Sequence, residues 1–279
     1  MKQHVRAAIT VILGMTVCGC GDQYINERLL WMADRAAKPV LAREASGPSY
    51  LTNRAVALYE KVIERDKQSR YALDARLKIG KLYLKAQEYE RARRIYDDVV
   101  AVYPDNKEAQ AVALFEKAVV YEEQGQWAQA LIVFNEILQN YDQTLRSFTV
   151  PQYIAQYYVR QKDEPSAKKA YALAVDYYEK IIGKYPNSKA AMTAENFIIR
   201  IYMDLDKPAE AVARLEKIGQ TYRLGPDALL VLAGLYQEKL HNTEKARQTY
   251  QTLVQSYPET PAARAAQKKL GNNEAGAGQ

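Results

Sequence analysis

Two cysteines and two histidines in 279 residues leave this chain short of the side chains that carry most protein chemistry. Cys18 and Cys20 stand together near the amino terminus, while His4 and His241 are far apart in the sequence. That set assembles neither a cysteine-histidine pair nor a multi-histidine zinc site, and His241, in the segment HNTEK, is expected in a solvated turn. A glycine-rich loop able to cradle phosphate is also missing; Gly80, Gly125 and Gly234 fit helix crossings or turns. Acidic neighbours such as Asp97-Asp98 and Glu122-Glu123 point in different directions on a helix, so they are not the facing carboxylates of glycosidic chemistry. The expectation is a non-enzyme with no cofactor, no metal and no small-molecule substrate.

Charge of one sign is scarce too. The chain has 39 Lys and Arg against 33 Asp and Glu. Removal of the first 19 residues takes Lys2 and Arg6 and leaves 37 against 33. Segments such as EYERARRIYDD and SAKKAYALA interleave charged and apolar residues, as on solvated faces of packed helices. That distribution argues against a nucleic-acid partner.

Lys2 and Arg6 precede an uncharged run from Ala7 to Val17, too short to span a bilayer but right for the apolar core of a secretory signal. It ends in Val17-Cys18-Gly19-Cys20, which resembles the lipobox of bacterial lipoproteins. The resemblance implies cleavage after Gly19, acylation of Cys20 and removal of residues 1–19. A competing register cuts before Cys18, with Met15, Thr16 and Val17 in the motif, and ordinary secretion or an uncleaved anchor is the other alternative. With Cys18 removed and Cys20 acylated, no thiol remains for a disulfide. Several acyl chains give stable membrane attachment where one is marginal. Gly21 rather than aspartate follows Cys20, which by the lipoprotein resemblance favours the outer membrane, with its periplasmic face expected.

Beyond this leader a pattern repeats. Ala55, Ala92, Ala130, Ala174, Ala211 and Ala246 each stand four residues before a large apolar residue: Tyr59, Tyr96, Phe134, Tyr178, Leu215 and Tyr250. A small residue and a bulky one four apart share one side of a helix, so the alanine lets a neighbour approach while the bulky group fills the gap beside it. Seven residues later come Tyr103, Tyr141, Tyr185, Tyr222 and Tyr257, with Pro104, Pro186 and Pro258 as stop signals; the first unit has Asp66 instead. Intervals of 35 to 44 residues are those of stacked helical repeats.

In the clearest unit Leu77, Gly80 and Tyr83 are followed by Ala92, and the break between helices falls near Gln87. This resembles a tetratricopeptide repeat, with weaker copies at Phe115, Ala118, Tyr121 and Ala130, at Ile199, Tyr202 and Ala211, and at Gly234 and Ala246. The fold expected is all-α, a tetratricopeptide-like right-handed solenoid of about six hairpins. Residues 20–26 are expected as an acylated start and short tether, 27–270 as the repeat domain, and 271–279 as a flexible tail. The hairpins are placed at 27–45 with 50–65, 69–85 with 88–102, 107–124 with 127–140, within 151–183, at 189–205 with 208–221, and at 226–240 with 243–256. Thr260 before Pro261 is expected to cap a closing helix through Leu270.

The resemblance also implies where a partner binds. Carried over to this chain, the ligand-facing positions are Lys81, Leu84 and Lys85; Val119, Glu122 and Glu123; Asn196, Arg200, Met203 and Asp204; and Leu235, Glu238 and Lys239. Tyr83, Tyr121 and Tyr202 fall at packing positions. In the longer fourth unit Tyr153, Tyr157 and Tyr158 either pack internally or form an aromatic docking site. The implied role is an envelope scaffold that contacts other envelope proteins and is held to the membrane by acyl chains. The Tyr-Pro endings YPDNKEA, YPNSKAA and YPETPAA look like those of the barrel-assembly lipoprotein and equally of the Tol-Pal-associated repeat protein. Secretin or pilus assembly is a further alternative, and a cell-wall hydrolase a remote one.

Overall fold

The computed structural model describes residues 23–42 and 49–276. The expected leader, the lipobox and Cys20 lie outside the described residues. Every regular element is helical: α1 (residues 23–41), α2 (Ser49–Arg65), α3 (Arg70–Lys85), α4 (Tyr89–Val102), α5 (Lys107–Glu123), α6 (Trp127–Asn140), α7 (Leu145–Arg160), α8 (Glu164–Lys184), α9 (Lys189–Asp204), α10 (Pro208–Thr221), α11 (Pro226–Gly234), α12 (Thr243–Ser256) and α13 (Pro261–Gly276). A π-helical turn, Leu235–Lys239, continues α11. Among the described residues the architecture is all-α, helical hairpins of the solenoid type, six in number, in two compact units that divide at Val150 and Pro151.

Local chemistry sets the helix ends. Side chains of Ser69, Asn106, Asp163, Ser188, Asn242 and Thr260 each accept a bond from a backbone N–H three residues on, satisfying a donor the helix itself leaves open. Within five hairpins the turn is made by one residue with left-handed φ: Gln87, Gly125, Lys162, Asp206 and His241. Only one of these is glycine, so the other four hold a conformation that L residues avoid.

In the first unit the core gathers Ala33, Ala37, Ala55, Tyr59, Ile79, Ala92 and Tyr96, all essentially excluded from solvent. The small-large pairing acts as the sequence implies. Gly80 admits the Tyr96 ring, and a Cβ there would stand 2.4 Å from its Cζ. Gly234 behaves otherwise than expected: an added Cβ would meet nothing within 4 Å, and the residue marks the passage from α-helix to π-helical turn. In the second unit Ala211, Leu215, Leu232, Ala246, Tyr250 and Leu253 form the corresponding core, closed by Ala262 and Ala266 of α13.

Two of the terminal tyrosines reach back to the start of their own hairpins. Tyr103 Oη contacts the carbonyls of Lys67 and Ser69 at 3.2 Å, and Tyr257 donates to the Leu224 carbonyl at 2.8 Å. Each therefore fastens the end of a hairpin's second helix to the loop that opens that hairpin.

Four boundaries differ from expectation. Residues 23–26, expected as tether, are the first turn of α1, and that helix ends at 41 rather than 45. Helix α7 begins at Leu145, because Thr144 supplies an N-cap oxygen to Ser147 N–H at 3.3 Å; Pro151 lies inside the helix rather than at its start. Helix α13 continues to Gly276, past Leu270. The longer fourth interval is also explained. Helix α8 has 21 residues where α4, α6, α10 and α12 have 14, and it carries the pair twice, as Ala167 with Tyr171 and Ala174 with Tyr178.

Candidate functional site

Leu84 and Lys85 lie about one turn beyond Lys81 on α3, and α5 runs beside them. In the first unit these elements and the end of α1 enclose a cleft of about 340 Å³, lined by Leu41, Lys81, Leu84, Lys85, Gln87, Tyr89, Glu116 and Glu123. Four of the six positions expected here converge on it: Lys81, Leu84, Lys85 and Glu123. Val119 and Glu122 are half-buried beside it and do not line it.

Glu116 is the residue the repeat reading missed. Its side chain is 11% exposed and lies 3.3 Å from Lys81 Nζ and 3.5 Å from an Arg146 Nη. The Arg146 guanidinium also sits 4.3 Å above the Phe115 ring. With a cation on either side, this enclosed carboxylate is part of the lining of the cleft. A sequence signal existed. Lys78 and Glu116 occupy the same slot in successive repeats, and each pairs back to the preceding first helix, Lys78 to Asp34 at 2.7 Å and Glu116 to Lys81. Opposite charges at equivalent repeat positions thus zip neighbouring first helices together.

In the second unit the expected positions gather less closely. Asn196, Arg200 and Met203 are exposed along α9, with Met192 extending the stripe and Arg200 lying over Phe197 at 5.7 Å. Asp204 accepts a 3.0 Å bond from Gln152. Met203, Leu235 and Lys239 line a cavity of about 60 Å³ with Asp206, Lys207 and Pro208. Leu235 is a core residue, 7% exposed, and opens the π-helical turn. Lys239 pairs with Asp206 at 2.9 Å and Glu238 with Lys269 at 3.0 Å, so both charges are engaged within the chain.

Tyr153, Tyr157 and Tyr158 are all half-buried on α7. Arg160 lies 5.3 Å from the Tyr153 ring and 5.9 Å from Tyr157, which meets Tyr158 edge-on. They form one aromatic-cationic cluster. Tyr83 is buried, while Tyr121, under Arg93, and Tyr202 are half-buried. His241 is the exposed left-handed residue of its turn. Among the described residues no group of three or more His, Cys, Asp or Glu is placed to hold a metal, and no helix is long and apolar enough to cross a membrane. The chemistry this arrangement offers is recognition: apolar side chains set between paired charges along the first helices.

Family models described as tetratricopeptide repeat match residues 77–144, 153–188 and 227–260. The chain carries tetratricopeptide repeats. The tetratricopeptide matches leave out α1 with α2 and α9 with α10; the α9/α10 pair nevertheless has the same helix-turn-helix form. A search of curated proteins found no match. Among solved structures, yeast Tom70 aligns over 88% of this chain at 15% identity and TM-score 0.48, and the chain spans 46% of Tom70. PilW, a widely conserved type IV pilus biogenesis factor, aligns over 86% of this chain and 97% of its own at 14% identity and TM-score 0.43. Pseudomonas aeruginosa PilF aligns over 89% and 99% at 16% identity and TM-score 0.38.

Proposed function

We infer that this tetratricopeptide protein is a non-enzymatic scaffold, held by acyl chains at Cys20 on the periplasmic face of a bacterial outer membrane, that seats an extended segment of another envelope protein against its first helices. The observation that carries the binding part is the convergence of Lys81, Leu84, Lys85 and Glu123 with Glu116 on one cleft. Leu41, Leu84 and Tyr89 supply apolar contact, while the charged groups can meet peptide carbonyls and N–H groups. The mixed signs of Lys81, Lys85, Glu116 and Glu123 favour a peptide of mixed charge over a strongly acidic one. The membrane part rests on the sequence from Lys2 to Cys20.

Mass spectrometry of partners crosslinked to the protein in native membranes tests this reading, with Cys20→Ala as the anchoring control. Outer-membrane barrel-assembly components, lost in the control, are the expected recovery. Peptidoglycan or Tol-Pal components, or secretin and pilus components, would move the scaffold to those systems. Recovery of no envelope protein would end the scaffold reading, and peptidoglycan cleavage by the purified chain would replace it with a hydrolase.

A further inference from the structure

The first hairpin has a second exposed face unrelated to the cleft. At about 100° per residue, Tyr24, Ile25, Arg28, Trp31, Met32 and Arg35 fall within roughly a third of the circumference of α1. All six are exposed, Trp31 at 59% and Tyr24 at 63%. The opposite side of the same helix buries Ala33, Ala37 and Val40. The two acids of α1 point away from this stripe: Glu27 accepts from Tyr71, and Asp34 accepts from Tyr59 and Lys78. The outward stripe is therefore aromatic, apolar and basic. Helix α2 adds Leu51, Arg54 and Leu58, which with Trp31, Met32 and Arg35 line a shallow groove of about 470 Å³. Arg35 lies 5.5 Å from the Trp31 ring, and among the described residues no carboxylate pairs with Arg35 or Arg54.

We propose that this face of α1 and α2 lies on an anionic lipid surface. The proposal rests on the acylated-Cys20 reading, and chain length is what selects lipid over another occupant. Only Gly21 and Asp22 separate Cys20 from the first residue of α1, so three Cα steps of about 3.8 Å limit the separation to roughly 11 Å. The first turn of a helix held that close to an acylated residue starts at headgroup depth, and whether the rest of the helix lies along the surface depends on the face it turns to it. Exposed tryptophan and tyrosine favour that layer, and arginines with free charge are drawn to anionic headgroups. The acyl chains supply attachment, and the stripe supplies orientation: it fixes which side of the first unit faces the bilayer.

The test uses the full acylated chain with Trp127→Phe, which leaves Trp31 as the sole tryptophan. It is reconstituted in vesicles of phosphatidylethanolamine and phosphatidylglycerol at 3:1 carrying brominated acyl chains, and in phosphatidylcholine vesicles for comparison. Intact mass reports acylation of Cys20 independently. The expected result is quenching of Trp31 in the anionic vesicles, with the docked-to-undocked ratio falling about fivefold for each of Arg28→Gln and Arg35→Gln while the circular dichroism stays unchanged. An acylated chain whose Trp31 is not quenched overturns the lipid face and leaves the anchor standing. An unacylated Cys20 removes the anchor reading and the proposal's basis with it. Trp31 shielded from acrylamide without vesicles, together with a doubled mass in solution, overturns it in favour of a second copy.

Discussion

Gly80 and Tyr96 share one space: the missing Cβ of Gly80 is what lets the Tyr96 ring lie against α3, 2.4 Å from where that carbon would stand. The Tyr96 hydroxyl at this contact is buried and has no hydrogen-bond partner among the described residues. Gly80→Ala should therefore destabilise the fold by about 1–3 kcal/mol, since a rigid, fully buried ring has nowhere to move. Tyr96→Phe should be neutral or slightly stabilising at pH 7, because it deletes an unsatisfied polar group and keeps the ring. Chemical denaturation of both variants checks the opposite signs.

The buried phenols give the fold an alkaline limit. Burial first, and then the charge of Glu116, raises the Tyr96 hydroxyl far above the usual phenol range; burial followed by the bond to Asp34 does the same for Tyr59. A group whose folded value is raised contributes fully below its unfolded value, near pH 10, and that contribution drains as pH rises beyond it. Stability should fall from about pH 10 upward by as much as about 1.4 kcal/mol per pH unit for each such phenol. Tyr96→Phe should retain more of its stability than the parent at about pH 11, read by thermal melts across pH.

Glu116 holds two cations at once, with Lys81 half-exposed and Arg146 more enclosed. Glu116→Gln should cost about 1–3 kcal/mol, mostly through the stranded Arg146 charge, whereas Lys81→Met should cost under about 1 kcal/mol, because the half-exposed ammonium it removes is screened by water and Glu116 keeps Arg146. Equilibrium unfolding of the two single variants and the double separates these contributions.

Left-handed turn residues store a small strain. Gln87, Lys162 and His241 have φ of 60, 58 and 52°. Replacing any one with glycine should stabilise by about 0.5–1 kcal/mol, the relief of the side-chain clash exceeding the added freedom of the unfolded chain. Melting temperatures of the three variants give the sign.

The hairpins were legible because a period of small-large pairs, Tyr-Pro ends and cap residues all mark the same boundaries; α4, α6, α10 and α12 fall where Ala92, Ala130, Ala211 and Ala246 place them. The start of α7 was not, since Pro151 imitates a first-turn proline while the cap is Thr144. The cleft was partly legible. Lys81 and Lys85 follow from helix spacing, but Glu116 becomes part of it only through packing of α5 on α3, a contact between repeats that a single-repeat motif does not encode. The packing of Leu235 was not legible either: it opens a π-helical turn, where the regular helical period used to place it ends.

Site-specific photocrosslinking in cells tests the central claim most directly, with a benzophenone amino acid placed at Leu84 in the cleft and at Ile132, an exposed position on α6. The account predicts a discrete envelope-protein adduct at Leu84 that weakens with Glu116→Gln and is missing at Ile132. No adduct at Leu84, or the same adducts at both positions, would contradict it.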